Sequence, residues 1–202
     1  MNPLQLILGD EEFLIDRATS SIIRAVRSTM QSNPEELPIT KLRAGDVTPS
    51  EISELLSPSL FAEDRVVILA AAGEAGKEAV STIEQAVKEP APGVVLIVIH
   101  SGGGRAKNLV KILKNAGADV TECPKLTKFS EREDFVVNEF RNLGVRPSRD
   151  TVHALLDAIG GDLRELASAV SQLVADTGGR VDPAAVRPVS YTHLRAHETE
   201  AD

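Results

Sequence analysis

The sequence predicts an α/β fold: a parallel-sheet domain over residues 1–127, then a small helical domain over residues 128–187. Three observations predict it. Leu4 to Leu8, Val66 to Ala71 and Val94 to Ile99 are short continuous apolar runs, the signature of strands buried on both faces. Helical-period segments separate them, and strands that alternate with helices build a parallel sheet. Beyond about residue 127 the apolar runs cease and only helical spacing continues.

The elements follow in order. Leu4 to Leu8 is a strand stopped at Gly9-Asp10. Asp10-Glu11-Glu12 puts negative charge at the start of a helix, where the dipole favours it, and Phe13, Leu14, Ala18, Ile22, Ala25 and Val26 carry its apolar spacing. A polar loop from Ser32 to Pro38 leads to a short strand at Ile39 to Leu42, and Ser50 to Leu56 is a helix. After the strand at Val66, Lys77 to Lys88 is a helix with Ala79, Val80, Ile83 and Val87 inward. Pro90-Ala91-Pro92-Gly93 breaks the chain before the strand at Val94. Gly102-Gly103-Gly104 turns into a helix bearing Leu109, Val110, Ile112 and Leu113, closed by Gly117, and Asp119 to Glu122 is an edge strand.

In the second domain Ser130-Glu131-Arg132-Glu133 reads as a capping box, followed by Phe135, Val136, Phe140 and Leu143 and a stop at Gly144. Asp150 to Ile159 is the next helix, broken by Gly160-Gly161. Asp162 then caps a helix whose inner face is Leu166, Ala169, Val170 and Leu173. Asp182-Pro183 begins a further helix. Residues 188–202 show neither periodicity and are expected to be a non-native tail.

Composition narrows the function. A chain of 202 residues, 42% hydrophobic and 26% charged, suits one or two ordinary globular domains. Aromatics at 3% argue against stacking of single-stranded nucleic acid, and a net charge of -8 argues against a broad DNA-binding face. The single cysteine, Cys123, forms no internal disulfide and has no metal-ligand spacing around it. The start Met1-Asn2-Pro3-Leu4 lacks the features of a signal peptide, and no apolar run is long enough to span a bilayer, so a cytoplasmic location is expected.

Candidate chemistry is sparse. Gly73-Glu74-Ala75-Gly76-Lys77-Glu78 follows a strand, but it has too short a gap between its glycines and Glu78 where a phosphate loop needs Ser or Thr. Gly102 to Lys107 is better placed to meet an anion, although a tight turn for close helix packing explains it more simply. From Arg105 to Lys128 six basic residues face two acidic ones; Lys107, Lys111 and Lys114 share a helical face with Arg105 just before them. That face is either solvated or a contact for an anionic partner. No Ser/His/Asp set and no metal cluster is suggested, and no cofactor is expected.

The most informative stretch is Ser57-Pro58-Ser59-Leu60-Phe61-Ala62-Glu63-Asp64-Arg65. Ser-Pro reads as the start of a turn or helix that presents two adjacent large hydrophobes before a buried strand. Such a pair is core or an anchor for another protein's pocket, and pattern alone favours core.

The residues carry a resemblance. Leu6-Ile7-Leu8-Gly9-Asp10-Glu11-Glu12-Phe13-Leu14-Ile15, Ser59-Leu60-Phe61 with Arg65-Val66-Val67-Ile68-Leu69, and Gly161-Asp162-Leu163-Arg164-Glu165-Leu166 resemble the delta subunit of the bacterial DNA polymerase III clamp loader. Val98 to Lys107 and Glu122 to Thr127 resemble its actinobacterial form. The resemblance implies an AAA+-like clamp-binding domain without a phosphate loop, a helical lid domain, and a collar domain that would follow but is replaced here by residues 188–202. It implies a subunit with no activity of its own within a DNA-directed DNA polymerase holoenzyme. Its Ser59, Leu60 and Phe61 would bind the sliding clamp and help open the ring during replication. Implied partners are the clamp, the other loader subunits and DNA through the complex, with no membrane. Arg164 sits like the second sensor arginine of active relatives and reads as a relic or a lid-packing residue. The competing expectation is a nucleotide-binding α/β enzyme using Gly102 to Lys107, which an ATP-binding assay separates from the first.

Overall fold

The computed structural model describes residues 1–29, 36–58 and 64–186. The chain divides into two compact units, Met1–Lys125 and Leu126–Asp202. The first holds β1 (Leu4–Gly9), α1 (Glu12–Thr29), β2 (Ile39–Arg43), α2 (Pro49–Leu56), β3 (Arg65–Ala70), α3 (Lys77–Ala86), β4 (Val94–His100), α4 (Asn108–Asn115) and β5 (Asp119–Cys123). All strand pairs are parallel, in the order β2-β3-β4-β1-β5.

Strand alternation sorts the core into two layers. Leu4 and Leu6, Val67 and Leu69, and Leu96 and Val98 face α2, α3 and α4, whose Ile52, Ile83, Leu109 and Leu113 are buried against them. Ile7, Val66, Ile68 and Ile97 face the other way, onto Leu14, Ile15, Ala18, Ile22 and Val26 of α1. Ala25, expected inward, is exposed. The expected strands are all present, most of them one residue longer than their apolar cores.

Helix ends depart most from expectation. α2 begins one residue early because Thr48 and Glu51 form a reciprocal cap: Glu51 N–H donates to Thr48 Oγ1 at 3.3 Å and Thr48 N–H to Glu51 Oε2 at 2.8 Å, with Pro49 in the first turn. Ser57 closes α2, with its Oγ donating to Ser53 O at 2.5 Å, and the turn or helix expected to start at Ser57-Pro58 would lie outside the described residues.

The second unit contains α5 (Phe129–Asn142), α6 (Arg149–Ile159), α7 (Leu163–Thr177) and a 3-10 turn at Pro183–Ala185. Phe135, Val136 and Phe140 of α5 are buried, as are Val152, Leu155 and Leu156 of α6 and Leu166, Ala169, Val170 and Leu173 of α7. Asp162 caps α7 by accepting from Glu165 N–H at 2.9 Å. The expected cap at Ser130 is corrected. α5 already starts at Phe129, and it is Glu131 that reaches back to Lys128 N–H at 3.0 Å. Glu133, freed from that role, meets His153 at 3.2 Å and Arg149 at 3.3 Å. The helix expected from Asp182 is a single 3-10 turn within the described residues. No described helix is long and apolar enough to cross a membrane.

Candidate functional site

Open α/β sheets bind ligands outside the carboxyl ends of their strands, where neighbouring strands send their helices to opposite faces. Here that place lies between β1, followed by α1, and β4, followed by α4. It is closed by the chain itself. Only Asp10 and Glu11 connect β1 to α1, too few residues to wrap a phosphate, and their charge repels one. Glu11 N–H donates to Cys123 O at 3.1 Å. Gly9, at φ +147°, lies so close to β5 that a Cβ there would stand 1.9 Å from Cys123 O. Burial, then the charge of Glu122, pushes the Cys123 thiol up from its ordinary range.

The two glycine turns that invited nucleotide readings interlock instead. A Cβ on Gly73 would stand 2.7 Å from Gly103 O, and one on Gly104, at φ +84°, would stand 2.4 Å from Gly73 O. Glycine is required because two backbones touch. Ala106 N–H donates to Gly73 O at 3.0 Å. His100, wholly buried, holds the second turn from inside: Gly102 N–H donates to Nδ1 at 2.8 Å and Nε2 faces Ala106 O at 3.2 Å. The pair of contacts selects the tautomer with its proton on Nε2. Gly103 N–H is taken by Ser101 Oγ at 3.4 Å. Amides that a phosphate would need therefore serve the turn itself.

Glu74 locks the same end from outside. Arg43 Nε and Nη2 donate to its two carboxylate oxygens at 2.9 and 2.8 Å, and Arg105 Nε donates to its carbonyl. The Arg43 hydrogen bond, with the charges of Arg43 and Arg105, holds the Glu74 carboxyl below the usual range against a weaker opposing effect of burial. Arg105 thus braces the loop as well as heading the basic face. Lys107 and Lys111 are exposed and have no ion-pair partner among the described residues; Lys114 lies 3.8 Å from Glu122. Arg164 is exposed in the first turn of α7.

The amino ends of the strands present a different picture. Ser59, Leu60 and Phe61 lie outside the described residues, but both flanks are defined. α2 delivers the chain to Ser57 and Pro58, and β3 takes it up at Arg65, whose Nη2 donates to the Ser57 carbonyl. Arg65 N–H is fixed by Gly93 O at 2.8 Å and Val66 N–H by Pro38 O at 2.9 Å. Grooves adjoin each flank. One of about 440 Å³ runs past Leu56, Ser57 and Pro58, and one of about 340 Å³ runs past Asp64; Pro90, Ala91 and Pro92 wall both. His100 as a structural staple was invisible in sequence, where a strand-end histidine carries no pattern.

A five-stranded parallel sheet in this order, covered by helices on both faces, is an α/β module. A model of the family "DNA polymerase III, delta subunit" matches residues 6–124, and the chain belongs to that family. Among solved structures it is similar to the Bacillus subtilis DNA clamp loader delta protein (YqeN), with a TM-score of 0.73 and 22% identity over 93% of this chain and 57% of that one. The chain therefore spans little more than half of that relative's length. A weaker likeness is to the Thermotoga maritima RuvB Holliday junction branch migration motor, with a TM-score of 0.49 and 10% identity over 94% of this chain and 61% of that one. No curated protein matches the chain.

Proposed function

We propose that this chain is the clamp-contacting part of a clamp-loader delta subunit: it binds the DNA polymerase sliding clamp through Ser59, Leu60 and Phe61 and helps open the ring for loading onto primed DNA. One observation carries the reading: the family match at residues 6–124 spans this segment, whose position in the sequence is between the end of α2 and the start of β3. Two hydrophobes seated in a partner's pocket contribute about 1.5 to 3 kcal/mol each when fully desolvated. Ring opening needs more than tightness: the pair must bind the open clamp better than the closed one.

In this reading residues 1–127 are the clamp-binding domain and residues 128–187 a helical lid, and the protein contributes no catalysis of its own to the polymerase holoenzyme. Its further partners are the other loader subunits. Arg105, Lys107, Lys111 and Lys114 offer positive charge to an anionic partner, namely DNA held within the complex. The test is surface plasmon resonance against the cognate sliding clamp. Leu60→Ala with Phe61→Ala is expected to abolish binding with the circular dichroism spectrum unchanged. Clamp binding that falls only in proportion to unfolding would make the pair core and defeat the proposal.

A further inference from the structure

The outer face of α1 carries a feature that clamp contact does not use. From Arg17 to Thr29 the helix has three arginines and no carboxylate. Arg17, Ser20, Arg24 and Arg27 recur at three- and four-residue steps, so they share one face, turned away from the buried Leu14, Ala18, Ile22 and Val26 side. These groups are not scattered over a convex surface. Arg17, Ser20, Ile23, Arg24 and Arg27 line a groove of about 350 Å³ whose far wall is Ile39, the first residue of edge strand β2 and 39% exposed.

Arg24 and Arg27 lie on one face and repel one another, and in a protein of net charge -8 nearby carboxylates would be the ordinary remedy. Arg24 and Arg27 have none among the described residues. Arg27 Nε is shielded from water and has no acceptor among the described residues, so the outward-facing end of the guanidinium is what the groove offers to a carboxylate. Arg17 is held over the Phe13 ring at 4.5 Å, which fixes its direction.

We infer that this groove is a docking site for an acidic segment of a partner protein, one that sets carboxylates against Arg17, Arg24 and Arg27 and an apolar side chain between Ile23 and Ile39. Arginine without lysine suits planar, two-pronged pairing with carboxylates. The isoleucines decide against a nucleic-acid backbone, which offers nothing apolar to cover them, and the net charge of the chain opposes its approach. A helical partner would place such carboxylates seven residues apart, about 10 Å, the axial separation of Arg17 and Arg24. The inference does not depend on the clamp reading, because no residue is shared with it.

Fluorescence anisotropy on the full chain tests it with a labelled helical peptide bearing glutamates at positions i, i+7 and i+10 and leucines at i+3 and i+4. A glutamine version of the peptide and a labelled DNA duplex serve as the other arms. The glutamate peptide is expected to bind saturably, with affinity falling about tenfold or more in Arg24→Glu/Arg27→Glu and unchanged in Lys111→Glu/Lys114→Glu. Ile39→Ser is expected to weaken it with no change in salt dependence, which a purely ionic face would not show. Thermal melts establish that the variants fold. Absence of saturable peptide binding, indifference to the arginine reversals, equal binding of the glutamine peptide, or a duplex that binds more tightly and is lost with the same reversals would each overturn the inference.

Discussion

The carboxyl and amino ends of the sheet in the first unit are built to opposite purposes. At the carboxyl end every protruding turn is tied to another: Gly9 against Cys123, Gly73 against Gly103 and Gly104, His100 to Gly102 and Ala106, Glu74 to Arg43 and Arg105. At the amino end, described residues on both sides of the stretch between Ser57 and Arg65 border open grooves walled by prolines. A parallel sheet ordinarily does its chemistry at the first end. The contrast teaches that an α/β module can fill its ligand crevice with its own packing while the opposite end of the sheet keeps open grooves.

The comparison breaks most visibly at Leu60 and Phe61. Their joint replacement by Ala is expected to lower clamp affinity by about two orders of magnitude or more while leaving the urea midpoint unchanged. At the other end Gly104→Ala should do the reverse. Its positive φ and the clash with Gly73 O are expected to remove about 3 kcal/mol of stability, with clamp affinity per folded molecule intact. Gly103→Ala is the control: nothing lies within 4 Å of its Cβ, so a change within about 0.5 kcal/mol is expected from the same denaturation curves.

His100→Leu leaves the Gly102 N–H without its acceptor and Ala106 O with only Leu109 N–H as donor, and should destabilise by about 1 to 2 kcal/mol in urea. Glu74→Gln is expected to have a smaller effect whose signature is its pH dependence. The native carboxyl titrates below the ordinary glutamate value of 4.5, so its contribution is present above that pH and is lost as pH falls through the lowered value. Wild type and Glu74→Gln should therefore differ above pH 4.5 and converge in more acidic melts. The smallest expected effect is none: ATP with Mg²⁺ should leave the melting temperature unchanged, since a ligand bound only by the native state must raise it. A saturable rise would reopen Gly102 to Lys107 as a nucleotide loop.

The strands were legible because a buried parallel strand must be apolar throughout, and Val66 to Leu69 or Val94 to Ile99 admit no other reading. Helix starts were harder. The Thr48-Pro49-Ser50-Glu51 cap was readable in principle, whereas Ser130 misled because the cap, at Lys128 with Glu131, lies two residues further back than the pattern places it. The interlock of Gly73 with Gly104 had no local signal: the two glycines are 31 residues apart and each resembles an ordinary turn. The arginines of α1 were hidden for another reason. A polar face on an amphipathic helix is expected, and only the groove against Ile39 distinguishes it from a solvated one.

The tie between Arg65 and the Ser57 carbonyl has a consequence for distance. It brings the two ends of an eight-step stretch of chain together at the amino end of β3. Fully extended polypeptide covers about 3.5 Å per residue, and a strand anchored at both ends must come back, so its tip reaches no further than about 14 Å. Whatever receives Leu60 and Phe61 must therefore come to the amino end of β3. A short tether of this kind turns a side-chain contact into a ruler.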